Sequence, residues 1–257
     1  VLQVQGRYPA ARDDCLELQR LVDEVVATTC LTSVASVTGQ LHDSYRQLQR
    51  VLESHPEADP AIRSWSVTAL AQMAVQANLT AAAQAHFRDA LALDPSDFYL
   101  LGAYTDFLLD QRRPAEVTRL LADKTRADPL LLRYALALEA QRSPELPLAT
   151  QQLRERFEAS RLRGDRVHLR EEARFTLHVL GDAQRALQLA KENWAVQKEG
   201  ADVRILLEAA LALRDRQTLS SINDWLRNSR LEDARIQQLM AVVVHPNPAP
   251  PRTSNDR

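Results

Sequence analysis

Glycine is scarce in this chain, at 6 positions among 257. Alternating runs of β-branched residues are nearly absent as well, which argues against any sheet-based architecture. Neither sign of charge dominates: the net charge is −2 and the sequence pI near 6.3. No global basic field exists to draw in a polyphosphate or an anionic membrane surface, so nucleic acid is not an expected partner. No run of 18 or more apolar residues occurs, and membrane insertion is not expected either. The opening stretch, VLQVQGRYPAARDD, lacks the basic start, apolar core and cleavage site of a signal peptide. It reads instead as the middle of a helical pair, the expected start of a processed or truncated chain that has lost its original address.

What fills the chain is alanine, leucine, arginine, glutamine and glutamate, all good helix formers. With 45% hydrophobic and 26% charged residues the balance is that of a folded protein. An all-α fold follows, and so much apolar helix surface demands that the helices bury one another. Their punctuation recurs. Pro95 and Pro129 stand 34 residues apart, and Pro56 lies 39 before Pro95. Gly6 and Gly39 are 33 apart, Asn78 takes the same place in the next unit, and Gly181 does so later. Between two such marks lies AAAQAHFRDALALDP, Ala81 to Pro95. Its alanines let helix backbones approach closely, Phe87 supplies one large knob, and Asp94-Pro95 stops the helix because proline lacks the amide hydrogen of the next turn.

These residues resemble the tetratricopeptide repeat, a helix-turn-helix unit of 34 residues. The best match spans Ser64 to Pro129. Leu70, Ala71 and Ala74 fall where the family packs its first helix, and Ala83, Phe87 and Ala90 where it packs its second. Tyr104, Leu108 and Leu121 hold the equivalent places in the following unit, where Arg112 replaces the turn glycine. Val25 to Pro56 forms a further unit, the likeness fades across Leu131 to Gly164, and it returns in His168 to Gly200. The resemblance implies a right-handed α-solenoid of about six or seven antiparallel hairpins over residues 1–244.

It also implies a function, because the first helices of such units line a concave groove that binds peptides or protein segments. Carried over residue by residue, the groove holds Trp65, Thr68, Gln72 and Gln76, then Tyr99, Asp106 and Asp110, then Arg133, and finally His168, Glu171, Phe175 and His178. Aromatics would supply contact area and charges orientation, although Trp65, Tyr99 and Phe175 could equally pack between units. Such a scaffold needs no cofactor and no catalytic residue. Its partner would be a protein or peptide.

Cys15 and Cys30 flank a reversal near Val22 to Glu24 at similar distances, on helices expected to run antiparallel. A disulfide between them would suit an oxidising compartment such as a periplasm; the alternative is two buried thiols acting as small hydrophobes, compatible with a cytoplasmic chain. Catalytic patterns are thin. No nucleophile elbow, glycine-rich phosphate loop or HExxH occurs. His168, Glu171 and His178 could share one helix face as metal ligands, which is the alternative, enzymatic or metal-binding reading. The segment RERFEASRLRGDRVHLREEAR carries seven arginines against five acids and reads as a solvated surface with i,i+4 pairs, or else as a contact for an anionic peptide. LEDARIQQLMAVVV reads as a closing helix, with Asp224-Trp225-Leu226 covering the end of the stack. The proline-rich stretch HPNPAPPRTSNDR reads as a disordered tail over 245–257.

Overall fold

The computed structural model describes residues 1–165 and 168–244, and the 245–257 tail lies outside them. The described residues form fourteen α-helices and no strand. They are α1 (Tyr8–Leu18), α2 (Glu24–Ser36), α3 (Leu41–Ser54), α4 (Pro60–Gln76), α5 (Thr80–Leu93), α6 (Phe98–Asp110) and α7 (Pro114–Leu121), followed by α8 (Asp128–Ala140), α9 (Leu146–Leu162), α10 (Leu169–His178), α11 (Ala183–Trp194), α12 (Gly200–Leu213), α13 (Arg216–Ser229) and α14 (Ala234–Val244). Six hairpins, α2/α3 through α12/α13, stack in series with a single helix at either end. Even-numbered helices pack on one another along the stack, from α2 on α4 through to α12 on α14.

Local chemistry sets each boundary. After an even-numbered helix the chain enters the left-handed region at Gly39, Asn78, Arg112, Arg142, Gly181 and Arg214. At Asn78, Arg112, Arg142 and Arg214 the next amide reaches back five residues to a helix carbonyl, as Leu79 N does to Ala74 O at 2.8 Å and Arg113 N to Leu108 O at 2.9 Å. These bonds satisfy carbonyls that the helix end leaves without partners. Gly6 belongs to the same series one unit earlier, with Arg7 N bonded to Leu2 O. At the other junction, Asp94 accepts from Ser96 N and Oγ. Asp97 then caps α6 by accepting from Tyr99 N and Leu100 N, and Asp59 caps α4 ahead of Pro60 in the same way.

The expected packing residues are in place: Leu70, Ala71, Ala74, Ala83, Phe87, Ala90, Tyr104, Leu108 and Leu121 are all buried in one continuous core from α2 to α8. A second core joins α10 to α14, and a third bridges α8, α9 and α10. Cys15 and Cys30 form a disulfide with Cα atoms 5.6 Å apart, tying α1 to α2. Trp225 meets Trp194 edge-on within the second core.

In one respect the stack departs from a series of units that touch only their neighbours. Helix α14 lies against α4, so the end that Trp225 and Leu226 were expected to cover is met by the opposite end of the array. Lys198 N donates to Val4 O at 2.6 Å, Tyr8 Oη donates to Lys198 O at 2.8 Å, and Leu41 N donates to Glu232 at 3.0 Å. The array closes round its own axis.

Candidate functional site

The even-numbered helices face this axis, and the residues one repeat apart on α4 and α6 show what it contains. Trp65 and Tyr99, near the N-terminal ends of α4 and α6, are 42% and 62% exposed. Tyr99 and the Gln72 side-chain amide are joined at 2.9 Å. Although the Tyr99 ring is open to solvent, protein atoms crowd its hydroxyl enough for burial to push the phenol upward.

Deeper in, the acids of α6 are spoken for. Asp106 accepts from Arg133 on α8 at 2.5 Å and from Arg174 on α10 at 2.8 Å. Burial alone would raise this carboxyl; the two guanidiniums overcome that cost and hold it well below the usual carboxylate range. Asp110 reaches across to Arg204 on α12 with a two-pronged contact at 2.6 and 2.7 Å. Arg204 also bonds Glu208, which meets His178 at 2.9 Å. Burial opposes the charge on Glu208, but His178 and Arg204 together lower it to about 2. A third cluster joins Arg170 to Glu171, Glu199 and Asp202. These ties span 68 and 94 residues of sequence for Asp106–Arg174 and Asp110–Arg204.

The carried-over groove positions therefore divide. Trp65 and Tyr99 are exposed, and Gln72 is half-buried and bonded to Tyr99. Asp106, Asp110, Arg133 and Glu171 lie on the axis as members of ion-pair clusters, with Arg133 and Glu171 buried. Thr68 and Phe175 are buried in helix packing: Thr68 Oγ1 donates to the Ser64 carbonyl, and Phe175 lies against Phe157 at 5.6 Å. Gln76 has a buried side-chain oxygen that meets no donor among the described residues.

His168 precedes the first turn of α10, Glu171 is held by Arg170, and His178 is held by Glu208. Among the described residues no group of three His, Cys, Asp or Glu side chains can hold a metal, so the sequence-based metal alternative is not assembled.

The partners Arg170, Arg174, Arg204 and Glu208 carry no signature in the sequence, which places them on helices but not across an axis. The arginine-rich segment is not the i,i+4-paired surface expected from the sequence. The ion pairs formed by its described residues are not of the i,i+4 kind: Arg156 binds Asp128, Arg161 binds Glu172, Arg163 binds Asp165, and Arg170 and Arg174 turn to the axis. Arg166 lies outside the described residues.

The architecture is that of a tetratricopeptide-like α-solenoid. A solved tetratricopeptide repeat protein from Parabacteroides merdae superposes on it with a TM-score of 0.53 and 12% sequence identity, covering 95% of each chain. At that identity the likeness establishes the fold. No family model matches the sequence, and no curated protein aligns with it.

Proposed function

We propose that the protein is a non-catalytic interaction scaffold that holds a peptide or protein segment at the Trp65–Tyr99 mouth of its helical stack. The observation that carries this reading is the pair of exposed aromatics 34 residues apart on consecutive even-numbered helices, with Gln72 of α4 bonded to Tyr99 of α6. Large, partly apolar side chains held in place at low entropic cost are the usual anchors of protein interfaces. The ionic clusters deeper in already spend their charges on one another, which favours a ligand at the mouth over one threaded along the axis.

The Cys15–Cys30 bridge supports function in an oxidising compartment, the periplasm in a bacterium, since such bonds rarely persist in a reducing cytosol. Among the described residues no helix is long and apolar enough to cross a membrane.

Selection of a phage-displayed library of random 12-residue peptides on the intact chain tests the reading. Recovered peptides should bind the Trp65→Ala/Tyr99→Ala double variant about tenfold or more weakly. Failure to recover any, or equal binding to both forms, would overturn it.

A further inference from the structure

The N-terminal end of the array rests on much less packing than the units behind it. Of the eleven residues of α1 only Ala11 and Cys15 are buried. The small core they form with Val34 of α2, with Leu2, Tyr8 and Leu31 half-buried around it, is separate from the continuous core of α2 to α8. No side chain caps the start of α1. Among the described residues, its side chains are bonded to other elements at two points, Tyr8 and the Cys15–Cys30 disulfide. A helix of eleven residues is marginal in water by itself, which leaves the disulfide as its strongest tie to α2.

This lightly packed helix and the arm ahead of it make one of the two contacts that close the array. They grip a single residue, Lys198, in the turn between α11 and α12. Val4 O accepts from Lys198 N at 2.6 Å, and Tyr8 Oη donates to Lys198 O at 2.8 Å. Gly6 lets the arm lie directly on the Lys198 side chain, since a Cβ there would stand 2.9 Å from Lys198 Cβ and Cγ. Lys198 in turn lies over the Trp194 ring at 4.4 Å. The second closure does not involve α1. There Glu232 accepts from Leu41 N and Gly39 meets Arg230, and α14 lies against α4.

We infer that the Cys15–Cys30 disulfide is a redox-sensitive lock on the first closure: while it is formed, α1 holds Val4 and Tyr8 against the Lys198 turn, and when a dithiol reduces it, α1 and its arm leave that turn while the Glu232 closure stays shut. In the opening step a thiolate of the dithiol attacks one sulfur, the Cys15–Cys30 bond breaks and a mixed disulfide forms. The second thiolate of the reagent then displaces the protein sulfur, so the protein gains two electrons and two protons as two thiols and the dithiol becomes a disulfide. Oxidised dithiol runs the same exchange backwards. The cross-link joins residues 15 apart in sequence, and a tie of that span favours the docked form of α1 about a hundredfold. An oxidising compartment therefore keeps the array latched at both closures, and a reduced chain is latched at one.

Hydrogen–deuterium exchange followed by NMR on the intact chain tests it, with the Lys198 amide reporting the first closure and the Leu41 amide the second. Dithiothreitol should speed exchange at Lys198 and along α1 about a hundredfold and leave Leu41 unchanged. Oxidised dithiothreitol should restore the starting rates, and Cys15→Ser/Cys30→Ser should show the reduced pattern without any reductant. Tyr8→Phe with the disulfide intact should speed exchange at Lys198 only about fivefold, the loss of one hydrogen bond, and leave α1 protected. Unchanged exchange at Lys198 in a chain with two titratable thiols overturns the lock, as does loosening of α1 without loosening of Lys198. Equal loosening of Leu41 and of the α4–α8 core would make the disulfide a brace for the whole fold and sink the inference. A folded chain whose disulfide dithiothreitol cannot reduce sinks it too, because a bond that opens only on unfolding switches nothing.

Discussion

The seam between α5 and α6 and the seam between α9 and α10 occupy equivalent places in the stack and are built differently. In the first, Phe87 lies 5.2 Å from the Tyr104 ring and 5.6 Å from Phe107, flanked by fully buried Ala83 and Ala90. In the second, Phe157 meets Phe175 at a similar distance, but Arg161 and Glu172 complete the contact and a cleft remains. Small residues let one helix settle against the next so that the large knob fills its groove. In the second seam Leu153 and Ser160, both buried, stand at the places of Ala83 and Ala90, and the aromatic contact survives beside the cleft. Even so, α8 still packs on α10, so the axis side of the stack is continuous while the outer side is notched.

Truncating the two knobs separates these seams most sharply. Phe87→Ala should cost about 3–5 kcal/mol, the range for an aromatic removed from a closed core. Phe157→Ala should fall at the lower end of that range, about 3 kcal/mol, because its neighbours border a cleft into which side chains and water can move. Urea unfolding of both variants measures the difference, and equal losses would mean that the α9–α10 seam is as tightly packed as the other.

The axis offers the next contrast, since its clusters join units that the seams do not. Asp106→Ala should cost about 3 kcal/mol, because it strands two guanidiniums, Arg133 and Arg174, in a confined interior. The effect depends on pH with a definite sign. A carboxyl whose value is depressed on folding contributes its stability fully above the unfolded value, about 4, and loses it as pH falls towards the folded value. Asp106 and Glu208 are both depressed, Glu208 to about 2. The parent should therefore lose stability progressively from about pH 5 downwards. Asp106→Ala should lose less over the same interval, whereas Phe87→Ala should follow the parent's slope. Urea midpoints between pH 7 and pH 3 check this, and parallel slopes for all three proteins would remove Asp106 from the axis account.

The sequence shows the seams far better than the axis, for a physical reason. Packing between neighbouring units leaves periodic marks, such as Ala83, Phe87 and Ala90 at helical spacing and Pro95 at the unit's end, because each position meets the same environment once per repeat. Asp106 and Arg174 meet because the whole superhelix turns until α6 faces α10. That turn accumulates small rotations over several units, and no local pattern encodes it. The same limit explains why Trp65 and Tyr99 were legible at their repeat positions while Arg170, Arg174, Arg204 and Glu208 were not. The faded likeness across Leu131 to Gly164 covers α8 and α9, whose 17-residue second helix borders the open seam.

The turns that follow the even-numbered helices give the finest comparison, because one backbone conformation is met there by different residues. Gly39 and Gly181 adopt it with φ of 88° and 70°, whereas Arg214 adopts it with φ of 54°. For a residue with a Cβ this region costs about 1–2 kcal/mol, and part of any relief from glycine is returned as extra freedom in the unfolded chain. Arg214→Gly should thus stabilise the protein by about 0.5–1 kcal/mol, the more readily because the Arg214 side chain is exposed. The reverse change at Gly39 should be harmful, since a Cβ there would stand 2.9 Å from the Arg230 Cβ where the two ends of the array meet. A rise in melting temperature for Arg214→Gly beside a fall for Gly39→Ala would show that the turns share a conformation but differ in what surrounds them. A fall for both would mean that Arg214 is held by contacts that outweigh its strain.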